Sequence, residues 1–347
     1  TYNDSCIVRG PPLNQNHRTI SVGVIGVGSM GQHHARILAS LPGVKLVGVA
    51  DANGEQAASI AALYGAQPYQ DYRQLLDKVE AVTIAAPTAL HHAIGLECIS
   101  RGLHGMIEKP IASTAAQARE LAQAAERQGT VLMAGHIERF NPTFGEMANV
   151  LAKEKLLALE ARRLSPYVER AADTSAVLDL MVHDLDLCLT LADSLVVHLE
   201  ATGIQGKVPN LDHASAHLLF TSGVMANLTA SKISQQKVRE LTAICEGGVV
   251  QADLLARTVV VHRGAISDYR TEREKVLYRQ QGVVEQVYVP MVEPLYAELR
   301  HFVDCIRTRQ TPLVTAKDGI RVLELAEAIE ASALASLTKV PTSSRHK

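Results

Sequence analysis

The segment Ile20-Ser21-Val22-Gly23-Val24-Ile25-Gly26-Val27-Gly28-Ser29-Met30-Gly31 narrows what this chain can fold into more than any other. An apolar, β-branched run of strand length ends on Gly-x-Gly-x-x-Gly, and a helically spaced stretch over 30–41 comes next, stopped by Pro42-Gly43. The hexapeptide alone is a weak signal; its place between strand and helix gives each glycine a reason. Gly26 permits the tight turn, Gly28 lets backbone approach a pyrophosphate, and Gly31 lets helix meet sheet. Amides at the helix start, around Ser29 and Met30, then face the anion. Asp51 lies 20 residues beyond Gly31, after a second strand over 44–50, where a carboxylate accepts hydrogen bonds from an adenosine ribose. A 2′-phosphate there would meet like charge, and Ala52 and Asn53 supply no guanidinium, so the expected cofactor is NAD rather than NADP.

The alternation continues. A helix over 54–64 stops at Gly65, a strand covers 79–86, a helix 89–101, a strand 104–107, a helix 115–128 and a strand 130–134. Strands alternating with helices require parallel pairing, so a doubly wound α/β sheet is expected up to about Asn141-Pro142. Beyond it, strands at 156–164, 196–205, 213–220, 224–231, 239–246 and 258–262 succeed one another without helices between them, with Thr221-Ser222-Gly223 as a hairpin turn. This half reads as an α+β domain with an open, mostly antiparallel sheet. One strong helix, 174–192, interrupts it, and helices 294–307 and 317–337 close the chain. The expected domains are 19–142 for the dinucleotide, 143–311 for substrate and assembly, and 312–340 as a final helix packing back on the first domain.

Composition closes off other classes. With 347 residues, 47 % apolar and 20 % charged, the chain can build ordinary cores and is neither disordered nor fibrous. Lys plus Arg number 34 against 36 Asp plus Glu, with no basic run, so nucleic acid is not an expected partner. No stretch reaches the roughly 18 apolar residues of a membrane span, and residues 1–19 lack the apolar centre of a signal peptide. Cys6, Cys98, Cys188, Cys245 and Cys305 are scattered and read as reduced thiols, which points to the cytoplasm. Without Trp, and with aromatics at 4 %, a bound sugar would be held by hydrogen bonds rather than stacking.

Chemistry-bearing residues fall at the carboxyl ends of the first-domain strands, the edge where such sheets hold ligands. Ala86, Pro87, Thr88, His91, Glu108 and Lys109 are expected to line the cofactor. His91 and His92 point about 100° apart on a helix, so no metal site is expected from them. Glu108-Lys109-Pro110 follows the strand 104–107, placing Lys109 toward the cleft; an X-Pro bond permits a cis peptide, and a solvated loop lysine is the plain alternative. In the second half, Asp179, His183, Asp186 and Thr190 recur at i, i+4, i+7 and i+11, one polar stripe on a helix whose surroundings are nearly all apolar. Buried acids and a histidine either pair with each other or face a ligand, and histidine is the natural proton acceptor near neutrality.

Gly26 to Gly31, Asp51, Glu108-Lys109-Pro110 and Asp179-x-x-x-His183, in that order, resemble the glucose-fructose oxidoreductase, inositol dehydrogenase and MocA (Gfo/Idh/MocA) family. The resemblance implies an N-terminal Rossmann domain, a C-terminal open sheet used in oligomer contacts, a cis Lys-Pro bond, and Lys109, Asp179 and His183 around the sugar carbon being oxidised. Gly135-His136-Ile137-Glu138-Arg139-Phe140-Asn141-Pro142 and the Leu178 to Asp186 helix are similar to the UDP-N-acetylglucosamine 3-dehydrogenase branch, which works with an aminotransferase in making 2,3-diamino-sugar lipid A. That implies a catalytic set of Lys109, His183 and Asp179, and a homodimer or homotetramer. His136, Arg139, Asn141, Arg163 and Arg170 become candidates for the nucleotide sugar, guanidinium suiting diphosphate oxygens, with ion pairs as the arginines' other reading. Other readings are a different sugar or cyclitol dehydrogenase, a redox-cycling NAD-dependent glycosidase, and a non-catalytic NAD-sensing protein.

Overall fold

A computed structural model describes residues 18–167, 174–205, 210–272 and 275–337. Two compact units emerge. Among the described residues the first runs to Phe140 and resumes over Val292–Glu324; the second comprises Asn141–Met291 and resumes at Leu325.

The first unit is built on strands β1 (Ile20–Ile25), β2 (Val44–Ala50), β3 (Gln67–Tyr69), β4 (Ala81–Ile84), β5 (His104–Glu108) and β6 (Leu132–Gly135), in the order β3-β2-β1-β4-β5-β6. Every pairing is parallel. Val22, Val24, Val82, Ile84, Met106 and Met133 are buried, as strands covered on both faces must be. The crossovers are α1 (Gly31–Ser40), α2 (Gly54–Tyr64), the single turn α3 (Arg73–Leu76), α4 (Thr88–Ser100) and α5 (Ala115–Gln128). Asn53 starts α2 by accepting the Glu55 and Gln56 amides at 3.1 and 3.2 Å, and Gly65, at φ 65°, ends it. Strand order reverses at β1 and β4, which opens a crevice at their carboxyl ends.

The second unit holds α6 (Pro142–Leu151), β7 (Leu156–Leu164), a π-helical turn (Val177–Met181), α7 (Val182–Ala192), β8 (Val196–Gln205), β9 (Leu211–Phe220), β10 (Met225–Ser231), β11 (Val238–Cys245), β12 (Gly248–Asp253), β13 (Thr258–Glu272) and β14 (Lys275–Val287). Its sheet runs β14-β13-β12-β11-β7-β10-β9-β8. The expected antiparallel pattern holds at every pairing but one: β7 lies parallel to β10.

Two closing helices, α8 (Pro294–Thr308) and α9 (Ala316–Leu337), depart from the expected division. α8, expected with residues 143–311, belongs to the first unit, where it packs on α1 and on the 3-10 turn Ile137–Phe140. The Phe140 and His301 rings stand 5.4 Å apart there. α9, expected to pack on the first domain, divides at Glu324. Arg119 pairs with Glu324 in the first unit, while Ser332 in the second accepts the Ala201 amide at 3.0 Å. An apolar helical stripe records that a helix is covered, not which sheet covers it.

Candidate active site

The glycine loop follows β1 at the reversal point of the sheet. A Cβ at Gly26, whose φ is 84°, would lie 2.6 Å from the Ala86 amide nitrogen, and one at Gly31 would lie 1.8 Å from the Gly26 carbonyl oxygen. The fold itself forbids side chains at both. At Gly28 a Cβ would meet no protein atom within 4 Å, and Gly28 and Ser29 are exposed while Met30 is half-buried. The polypeptide leaves that space open, so the cradle fits a pyrophosphate brought against the backbone. Half-buried Asp51 accepts the Val27 amide on Oδ2 at 2.8 Å and the Asn53 amide on Oδ1 at 2.9 Å. Each carboxylate oxygen retains a lone pair suited to a ribose hydroxyl. Gln56 donates to the Val27 carbonyl at 3.0 Å and braces the loop from α2.

Ala86, Pro87 and Thr88 form the turn from β4 into α4, on the same edge. His91 corrects the expectation placed on it. Its buried ring has Nδ1 2.9 Å from the Pro110 carbonyl oxygen and Nε2 2.7 Å from that of Ala86. Both nitrogens face backbone, so the ring ties the β4 turn to the Lys109-Pro110 loop instead of offering a polar atom to the cofactor.

Glu108 is also corrected. Its buried Oε1 is 2.9 Å from His34 Nε2 on α1, and Oε2 accepts the Lys109 amide at 3.3 Å. Burial alone pushes the Glu108 carboxyl upward; the His34 hydrogen bond and the charges of His34 and Lys109 outweigh it and hold the group below the usual carboxylate range. Glu108 therefore fastens the end of β5 to α1. Sequence reading missed His34, and a partner 74 positions away leaves no local signal. Lys109 is half-buried at the end of β5, with Lys109-Pro110 in the cis form.

In the second unit the expected uninterrupted helix over 174–192 begins with a π turn. The extra residue in that turn rotates the helix beyond it by about 100°. Asp179 lies within the turn, while His183, the second residue of α7, keeps regular helical spacing with Asp186 and Thr190, so the turn shifts Asp179 relative to the other three; Asp179, His183 and Thr190 are half-buried and Asp186 is buried. Ser175 starts the turn by accepting the Leu178 amide at 3.1 Å, and the buried Lys232 ammonium donates to the Thr174 carbonyl.

Arg163, expected to meet substrate diphosphate, is 1 % exposed and forks onto Asp184, Nε at 3.0 and 3.1 Å from the two carboxylate oxygens and an Nη at 2.8 Å. Its guanidinium fastens α7 to β7 and is not presented to a ligand, a correction for which the sequence carried a signal. Leu159, Ala161 and Arg163 share the inward face of β7 by the period of two.

Among the remaining candidates, His136 is buried just beyond β6, Arg139 donates to the Leu313 carbonyl at 3.2 Å, and Asn141 caps α6 through the Thr143 amide at 3.0 Å. Arg170 lies outside the described residues. The first unit thus gathers Gly26 to Gly31, Asp51, Ala86 to Thr88 and Lys109 at one sheet edge, and the second presents Asp179 and His183 from one helical segment. Among the described residues no group of three or more His, Cys, Asp or Glu could hold a metal ion, and no helix is long and apolar enough to cross a membrane.

A glycine cradle closed by a carboxylate, at the reversal point of a parallel sheet, defines a dinucleotide-binding protein. Residues 20–136 match the oxidoreductase family with an NAD-binding Rossmann fold, and residues 146–251 match the GFO/IDH/MocA C-terminal domain. The chain belongs to the Gfo/Idh/MocA oxidoreductase family, and its cofactor is NAD. It is 32 % identical over 312 residues to the UDP-N-acetylglucosamine 3-dehydrogenase of Acidithiobacillus ferrooxidans, covering 88 % of this chain and 94 % of that one. A solved structure of that enzyme superposes with a TM-score of 0.84 at 29 % identity, covering 92 % of this chain and 99 % of that one. The scyllo-inositol 2-dehydrogenase (NAD(+)) of Bacillus subtilis is 23 % identical, covering 87 % and 90 % of the two chains. The chain is therefore of the sugar and polyol dehydrogenase type.

Proposed function

We propose that this protein oxidises the 3-hydroxyl of UDP-N-acetylglucosamine to the 3-keto sugar, for an aminotransferase that builds the 2,3-diamino sugar of lipid A. The observation that carries this reading is the 32 % identity extending over nearly the full length of both chains. The half-buried Asp179 and His183 on an otherwise apolar segment supply the acid-base pair that such an oxidation needs. NAD, when bound, accepts the hydride of the sugar C–H. The His183 imidazole takes the hydroxyl proton, Asp179 orients the ring and stabilises its charged form, and the Lys109 ammonium stabilises negative charge developing on the oxygen. His136, Arg139 and Asn141 contribute to holding the nucleotide sugar. Arg163, closed into its ion pair, does not. The protein works in the cytoplasm as a homodimer or homotetramer assembled through its open sheet.

The test is incubation with NAD, a panel of UDP-sugars, free glucose and inositols, with and without an aminotransferase. NADH formation and product structure by mass spectrometry and NMR are the readouts. A 3-keto or 3-amino derivative of UDP-N-acetylglucosamine supports the assignment. Turnover of free glucose or inositol alone would replace it with the second reading, to which the inositol dehydrogenase relative belongs.

A further inference from the structure

The dinucleotide edge is not the sole concave region of the first unit. At the opposite, amino-terminal edge of the six-stranded sheet lies a cleft of about 1120 Å³, floored by Ile20, Glu80, His104 and Val131, which begin or immediately precede β1, β4, β5 and β6. That volume is on the scale of sites that take nucleotide-sized molecules. Five cationic side chains line it, Arg18, Arg119, Arg307, Arg309 and Lys317, against Glu80 and Glu126. Three of the five are engaged: Arg18 with Glu80, Arg119 with Glu324, and Arg307 with Asp304 and the Pro42 and Gly43 carbonyls.

Arg309 and Lys317 have no hydrogen-bond or ion-pair partner among the described residues. His104 adds a third donor. The Val131 amide donates to its Nδ1 at 2.9 Å, which places the proton of the neutral ring on Nε2, and Nε2 has no partner among the described residues. Burial pushes the His104 pKa down; Glu80 opposes this and Arg309 adds to it, so the ring stays neutral with that N–H available. Arg309 also occupies left-handed backbone, φ 56°, at the end of α8, a position that glycine fills without strain. An exposed cationic side chain kept in left-handed backbone, lining the same cleft as the exposed Lys317 and the His104 N–H, is an arrangement that an acceptor-rich ligand would complete.

We propose that this cleft is a second ligand site, in which Arg309, Lys317 and His104 bind the phosphoryl group of a phosphorylated small molecule. It is separate from the dinucleotide cradle and independent of which sugar the enzyme oxidises. Arginine and lysine supply charge and hydrogen bonds to the phosphate oxygens, and the apolar walls at Ile20, Ile306 and Ile320 accommodate the remainder of the molecule.

Inorganic pyrophosphate is the probe, titrated into protein saturated with NAD so that the glycine cradle is already filled. The readout is the His104 imidazole NMR resonance, assigned with His104→Asn. A saturable shift is expected with a midpoint at or below about 1 mM, and potassium chloride of equal ionic strength should not reproduce it. Arg309→Gly should raise the midpoint about tenfold or more while leaving thermal stability equal to or above wild type, since glycine suits that backbone. Lys317→Gln should weaken binding in the same direction. The proposal is overturned by no saturable shift up to about 10 mM, by an equal response to chloride, by loss of the response when NAD is saturating, or by unchanged midpoints in both variants. None of these outcomes depends on turnover, so the site and the proposed reaction fail separately.

Discussion

Alanine at Gly28 separates the two reasons for glycine in the cradle. The added methyl meets no protein atom within 4 Å, and Gly28 is not one of the left-handed glycines, so the folded chain accepts it. Because alanine has less freedom than glycine when unfolded, the apoprotein should gain about 0.4–1 kcal/mol, or roughly 1–4 °C in Tm. The same methyl occupies the space left for the pyrophosphate. Loss of one backbone contact to a charged group removes about 1.5–3 kcal/mol, which weakens NAD by about 10- to 150-fold. Thermal scans without NAD and calorimetric titration with it measure the two effects. Gly31→Ala is the contrast: its Cβ would sit 1.8 Å from the Gly26 carbonyl oxygen, so stability should fall by about 1–3 kcal/mol or more along with binding. A Gly28→Ala protein that binds NAD within about twofold of wild type, or that melts clearly below it without NAD, would refute the assignment of that space to the cofactor.

Replacing His183 with Asn should leave NAD affinity nearly intact while turnover drops by roughly two or more decades; full activity removes His183 as the base. Asp51→Ser should lower the ratio of NAD to NADP affinity about tenfold or more, and wild-type protein that prefers NADP contradicts the role given to Asp51. Asp184→Asn leaves the Arg163 charge buried without its counterion and should cost about 3–5 kcal/mol in urea unfolding, whereas the double change Arg163→Met with Asp184→Leu should recover most of that loss; a fully stable Asp184→Asn counts against the pair. The Glu108 carboxyl is held lower in the folded chain than in the unfolded one, so its contribution is complete above the unfolded value of about 4.3 and disappears as pH falls through the folded value. Wild-type Tm should therefore drop more steeply on acidification than that of Glu108→Gln, and parallel curves would exclude the effect.

Local patterns carried most of the first unit. The strand, glycine turn, helix and acid from Ile20 to Asp51 are written within a few turns of chain, and Asn53 and Gly65 mark the ends of α2 in their own composition. β3 was missed because three residues containing Pro68 hold no periodicity to read. The β13–β14 hairpin reaches Glu272 and Lys275, well beyond the apolar stretch that marks its base, and its polar outer part gave no strand signal. Parallel pairing of β7 with β10 depends on segments far apart in the chain, as does His34 with Glu108. The π turn leaves residue types and spacings as a regular helix would have them, and so only the backbone shows that Asp179 is offset from the His183, Asp186 and Thr190 face. At Arg163 the strand period already placed the side chain inside, and the attraction of guanidinium for phosphate displaced that plainer inference.

The division of α9 at Glu324 bears on the order in which a growing polypeptide can finish folding. The NAD-binding half is broken by the insertion of Asn141–Met291 from the second half and resumes only at Val292, just ahead of α8, whose Leu299, Phe302 and Val303 are buried. Neither half is complete until α9 has left the ribosome, because that one element closes both cores. Such a chain carries two open apolar surfaces through the later part of its synthesis and seals them together, so a nonsense codon just ahead of α9 leaves both cores open.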